Sequence, residues 1–196
     1  MRDLDELTSW YADWSSLRVA VLGLGATGFA AADTLTELRC AVLVVAAEAD
    51  EERIDLLSVI GARYSPQSDR EVIPPDLASF DPELIVVSPG YAPDHPLVAW
   101  AREGGIPIWV AGGGEKVTLR IAAQYAQYTN FAGTPDEFEA KSALLKGHCD
   151  DLGTDYGAIT RSANYNTVVG ATEAEVQERI KAIIARVTPY IGADRA

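Results

Sequence analysis

The sequence predicts an α/β fold: one mainly parallel sheet with helices on both faces. Three observations carry that prediction. Short apolar runs alternate with longer amphipathic stretches, the rhythm of repeated strand–helix units. Those runs are hydrophobic throughout rather than alternating, as strands covered on both faces must be. The stretch Val19–Leu35 reads as a buried strand, a glycine turn and the first turns of a helix, with Gly23, Gly25 and Gly28 in the G-x-G-x-x-G spacing. In that spacing the first glycine makes the tight turn and the second lets the backbone approach a phosphate. The third lets the helix pack on the strand. The same spacing also serves a plain strand-to-helix turn that holds no ligand.

Each element follows in order. Leu4, Leu7, Trp10 or Tyr11, and Trp14 fall at helical spacing, so residues 4–14 are expected as a short amphipathic helix. Residues 18–22 form the first strand and 27–38 the first helix. Residues 41–45 form a second buried strand, and 50–60 a helix closed by Gly61. Arg63-Tyr64 is a short third strand. Residues 65–80, with Pro66, Pro74 and Pro75, read as an irregular connection. Residues 84–87 are a fourth strand, ending in Ser88-Pro89-Gly90. Residues 95–103 are a helix and 107–110 a fifth strand. Gly112-Gly113-Gly114 leads into a helix over 115–126, and 128–131 is a sixth strand. Thr134, Pro135 and Glu137 make a capping box that opens a helix running to about Leu152. Thr172 and Glu175 make another, opening a final helix. The whole reads as a single Rossmann-like three-layer sandwich with strand order 3-2-1-4-5-6, and an extra edge strand near 165–169 is left open.

Composition narrows the partners. Of 196 residues 48% are apolar, enough for a proper core, and the net charge is −13. That charge argues against nucleic acid and anionic membranes. Residues 1–105 carry 18 acids and 7 bases, while all four lysines lie after residue 115. Cys40 and Cys149 are expected as reduced thiols. The acidic start is not a signal peptide and no apolar run approaches membrane-spanning length, so a cytoplasmic location is expected.

Two resemblances cover the chain. Val19–Gly28 (VAVLGLGATG), Leu84–Pro96 (LIVVSPGYAPDHP) and Ala99–Trp109 (AWAREGGIPIW) make residues 7–109 resemble the N-terminal domain of a Mur ligase. The resemblance implies a domain that binds the uridine diphosphate part of a substrate, with phosphates near Gly25, Ala26 and Thr27, and Ser88 lining the crevice. One departure stands at the end of the second strand. Such domains place an acid there with a basic residue close behind, and this chain has Ala46-Ala47-Glu48-Ala49. Ile108–Arg120, Ala122–Asn130 and Gly133–Gly153 make residues 106–196 resemble the C-terminal end of luciferase-like oxidoreductases that use a deazaflavin or FMN. That family is a closed (β/α)₈ barrel, and the resemblance would face Gly112, Gly113 and Gly114 toward a coenzyme phosphate. The two matches meet at Ile106–Trp109. The reading drawn is a chimera, more readily engineered than natural, in which one strand serves both parents.

The chemistry left is sparse. The chain has no G-x-x-x-x-G-K-[ST] loop for ATP, and most of an oxidoreductase ring pocket would be missing. His95 and the adjacent His148-Cys149 read as helix-surface residues, so no catalytic residue and no metal ligand is assigned. A helix terminus contributes ~0.3–1 kcal/mol toward an anion, whereas millimolar affinity needs roughly 4 kcal/mol. The expectation is therefore a non-catalytic scaffold that requires no cofactor. It would hold at most a weakly bound nucleotide or flavin-type phosphate at Gly23, Gly25, Ala26, Thr27, Gly28, Ser88 and Gly112–Gly114. The rivals are a nucleotide- or deazaflavin-dependent oxidoreductase and a UDP-sugar-binding module. Oligomeric state is not legible.

Overall fold

The protein's structure, a computed structural model, describes residues 3–7, 9–47, 49–92, 94–131, 133–163 and 167–191. Seven strands form one parallel sheet: β1 (Arg18–Leu22), β2 (Ala41–Ala46), β3 (Arg63–Pro66), β4 (Leu84–Val87), β5 (Ile108–Ala111), β6 (Tyr128–Asn130) and β7 (Thr160–Ser162). Their order is β3-β2-β1-β4-β5-β6-β7, so the Rossmann-like sandwich and the order of the first six strands stand as expected. The helices are α1 (Ala26–Glu37), α2 (Glu51–Ile60), α3 (Pro75–Phe80), α4 (Pro96–Glu103), α5 (Thr118–Tyr125), α6 (Pro135–Leu152) and α7 (Glu173–Ile191). Residues 1–163, which hold the whole sheet, and 164–196, which hold α7, are two compact units.

Strand periodicity sorts the core into two layers. Ala20, Leu22, Leu43, Val45, Ile85, Val87, Ile108 and Val110 face one side, where α3–α6 supply Leu77, Leu97, Leu119 and Leu145. Their neighbours Val19, Val21, Val42, Val44, Leu84 and Val86 face the other, where α1 and α2 supply Ala32, Leu35 and Leu57. A side-chain period of two, buried on both faces, is why these strands read as unbroken apolar runs. The ladder is continuous through Trp109, which lies opposite Val86 of β4 and Tyr128 of β6.

Four local expectations are corrected. The N-terminal segment forms only a 3₁₀ turn at Leu4–Glu6, not a helix over 4–14. Leu4, Leu7 and Trp14 instead lie over the sheet layer that contains Trp109 and Tyr128, while Trp10 and Tyr11 face solvent. The Trp14 indole donates to the Ser9 carbonyl at 2.8 Å, folding the segment into turns. The 65–80 connection contains α3, with Pro75 at its first turn, where proline's fixed φ suits a helix. Helix α5 begins at Thr118 rather than Glu115, because the Leu119 amide reaches back to the Gly114 carbonyl in a wider turn. The seventh strand is Thr160–Ser162, paired with β6. Of the stretch near 165–169, Tyr165 and Asn166 lie outside the described residues, and Thr167–Val169 are not in a strand.

Candidate functional site

The strand order reverses between β1 and β4, and in open α/β sheets the crevice outside such a switch point is where ligands bind. Here the β1–α1 loop and the end of β4 converge. The Gly23 amide donates to the Val45 carbonyl at 2.8 Å, and the Ser88 amide donates to the Leu22 carbonyl at 3.0 Å. Gly23 has φ +102°, a left-handed conformation that favours glycine. A Cβ on Gly28 would stand 2.0 Å from the Gly23 carbonyl oxygen, so the helix packs on the turn only because residue 28 is glycine. Gly25 caps α1 with no side-chain hydrogen bond, and a Cβ there would meet nothing within 4 Å. The first amides of a helix have no intrahelical acceptor. The amides at Ala26 and Thr27 are therefore without an intrahelical acceptor.

Ser88 completes this corner. Its Oγ is buried and without a hydrogen-bond partner among the described residues, 3.0 Å from where a Gly28 Cβ would be and 3.1 Å from a Gly23 Cβ. The structure thus brings Gly23, Gly25, Ala26, Thr27, Gly28 and Ser88 together at one place.

Three side chains here were not found from sequence. Arg53, from the first turn of α2, donates to the Leu24 carbonyl at 2.9 Å, inside the glycine loop, and pairs with Asp50 at 3.3 Å. It supplies a cation where the Ala46–Ala49 stretch offers none. Tyr64 and Tyr91 donate to the Ala46 and Val45 carbonyls, both at 3.3 Å, and so occupy the end of β2. Burial, with Tyr64 nearby, pushes the Tyr91 phenol up to about 12, so it remains a donor at neutral pH. Tyr91 lies three residues past Ser88, the one local signal that could have marked it. Glu48, in the stretch that departs from the Mur ligase pattern, lies outside the described residues.

His95 packs edge-on against Tyr91, ring centroids 4.6 Å apart. It is the N-cap of α4, its Nδ1 accepting from the Leu97 amide at 3.2 Å. Burial first, then Arg70, lowers its pKa, and the cap requires the neutral ring. His148 reaches the Glu115 carbonyl at 2.8 Å, and Cys149 points into the core.

Gly112–Gly114 form a separate loop beyond β5. Gly112 has φ +111° and its amide donates to the Asn130 carbonyl at 2.9 Å. Lys141 Nζ of α6 lies 3.1 Å from where a Gly113 Cβ would be, and the Gly114 position abuts the Thr118 hydroxyl.

The sheet, its switch point and its glycine loops place the molecule in the doubly wound α/β class. The chain belongs to the luciferase-like monooxygenase family, whose model matches residues 83–196. In this chain the strands of that stretch, β4 to β7, lie in an open sheet. The chain is also similar to UDP-N-acetylmuramoylalanine–D-glutamate ligases. It is 60% identical over 106 residues to that of Leifsonia xyli, covering 54% of this chain and 20% of the relative. It is 45% identical over 108 residues to that of Tropheryma whipplei, covering 55% and 22%. The chain thus spans about a fifth of the length of these relatives. Among solved structures it superposes loosely on the dipicolinate synthase A chain of Bacillus subtilis, at 14% identity and TM-score 0.35, covering 95% of this chain and 51% of that one. A glyoxylate reductase from Paecilomyes thermophila gives 13%, 0.36, 92% and 51%. These findings correct the expectation of a non-enzyme: the family model and the similar sequences are named for enzymes, a monooxygenase and a ligase. No helix among the described residues is long and apolar enough to cross a membrane.

Proposed function

We propose that this chain is a nucleotide-diphosphate-binding module of ligase type, holding the UDP part of a UDP-N-acetylmuramoylalanine-like substrate. The Ser88 hydroxyl carries the reading: it is buried, unpartnered and set against Gly23 and Gly28. A buried hydroxyl without a partner is costly, and a phosphate oxygen satisfies it. The free amides at the start of α1 supply further donors, and the helix dipole favours the negative charge. Arg53, anchored on Leu24, adds a cation at the rim. The 60% identity to a D-glutamate ligase over 106 residues supports uridine as the nucleoside. The module's part in ligation is to bind and orient; the ATP-dependent step belongs to other residues than these.

The test is a titration with UDP, followed by amide chemical shifts. Saturable shifts at Gly25, Ala26 and Thr27, weakened in Ser88→Ala and Arg53→Gln, are expected. Absence of shifts in Gly23–Gly28 at millimolar UDP overturns the reading.

A second reading rests on the family match over 83–196. The Gly112–Gly114 loop, with Lys141 behind it, fits the phosphate of a flavin-type coenzyme. Quenching of FMN fluorescence by the wild type, reduced in Lys141→Gln, would support it; unchanged fluorescence would end it. The family match over 83–196 and the ligase similarity together support a chimeric origin in which β5 serves both parents.

A further inference from the structure

A second cleft, of about 360 Å³, opens on the α5 side of the β4–α4 loop. Gly90 and Tyr91 form one wall, and Lys116, Val117, Arg120 and Gln124 form the other. Nothing in the nucleotide reading uses it. Arg120 and Gln124 lie one helical turn apart on one face of α5, and Lys116 stands just ahead of that helix. Among the described residues the lining holds two cations and no carboxylate, in a chain with 29 acids and 16 bases. Neither cation forms a salt bridge among the described residues. Elsewhere on this surface arginines and lysines do pair, Arg18 with Asp81 and Lys146 with Asp150. A concave wall focuses the field of charges set around it. Two unpaired cations, a neutral amide and backbone of the Pro89–Ala92 turn therefore make a local positive site on a negative molecule.

We propose that this cleft binds an oxyanion, the phosphate or carboxylate group of a small molecule, between Lys116 and Arg120 with Gln124 donating beside them. The site is independent of the uridine crevice but shares a wall with it. Tyr91 lines the cleft, and its Cε2 lies 3.2 Å from where a Gly23 Cβ would be.

Inorganic phosphate and citrate are the probes, followed by the amide shifts of Val117, Arg120 and Gln124 in the full chain. Saturable shifts with either probe are expected, weakening as sodium chloride is raised. Phosphate alone marks a phosphate site; citrate alone marks a carboxylate site. The double variant Lys116→Gln/Arg120→Gln should weaken binding about threefold or more, the scale of two exposed charge contacts. Lys116→Arg/Arg120→Lys should retain it, which guards against a folding defect. Shifts that rise linearly without saturation, or a curve unchanged in the double glutamine variant, overturn the proposal. The readout is distinct from the uridine test, which reads Gly25–Thr27, so either can fail alone.

Discussion

Ser88 and Gly28 meet across the switch point, and their substitutions should separate binding from folding. Ser88→Ala removes a buried hydroxyl that has no partner in the free protein. Its loss should leave stability unchanged or raise it by up to ~1 kcal/mol, while UDP binding weakens. Urea unfolding paired with UDP titration reads both. Gly28→Ala places a methyl 2.0 Å from the Gly23 carbonyl. Backbone must move, and the cost should be about 3 kcal/mol or more, the upper range for overpacking. Gly25→Ala meets nothing within 4 Å at φ −74° and should stay within ~0.5 kcal/mol of the wild type. Equal losses at Gly25 and Gly28 would contradict the packing described. The glycine positions were legible in sequence because their role is a backbone role, fixed by spacing. Arg53 and Tyr91 were not. Each reaches the loop only once the strand order sets β2 and β4 on either side of β1.

Helix α4 shows how an element couples to pH. His95 caps it through Nδ1, and Pro96 starts its first turn. His95→Ala should cost ~1 kcal/mol, as loss of an N-cap does, and His95→Asn should recover most of it. Burial and Arg70 lower the His95 pKa from its ordinary 6.5. The folded chain therefore binds that proton less tightly than the unfolded one. Its contribution to stability is present above pH about 6.5 and is lost as pH falls below it. Melting curves of wild type and His95→Asn across that range check this: only the wild type should carry the step. Elements whose burial demands one pattern were easy to read, as with the continuous apolar runs of β1, β2 and β4. The N-terminal segment was not. Its Leu4, Leu7 and Trp14 spacing suits a helix, but the same three residues reach the sheet from a chain of turns, because tertiary packing outweighs local propensity there.

At the scale of the whole molecule, the two faces of the sheet are covered differently. Helices α3–α6 pack on one face, while on the other α1 and α2 pack under the β1–β2 half. Over β5 and β6 the cover includes the N-terminal segment. There Trp109 and Tyr128 stack with centroids 5.7 Å apart, and the Tyr128 hydroxyl donates to Asp5 at 2.8 Å. Sequence could not show this arrangement, because residue 5 and residue 128 are joined only through the finished sheet. Burial first, then the hydrogen bond and charge of Asp5, push the Tyr128 pKa up to about 12 from 10.0. The folded state therefore holds this proton more tightly than the unfolded chain. The stability it confers is complete below pH 10 and is lost as pH rises toward 12. Asp5→Asn keeps the segment's size and removes its charge, so Tyr128 should ionise nearer to 10 and alkaline unfolding should begin earlier. Absorbance of tyrosinate during an alkaline titration, with Trp109 fluorescence recorded alongside, measures both. A titration identical in wild type and Asp5→Asn would mean that the segment does not seal this face, and the cover over β5 and β6 would have to come from elsewhere.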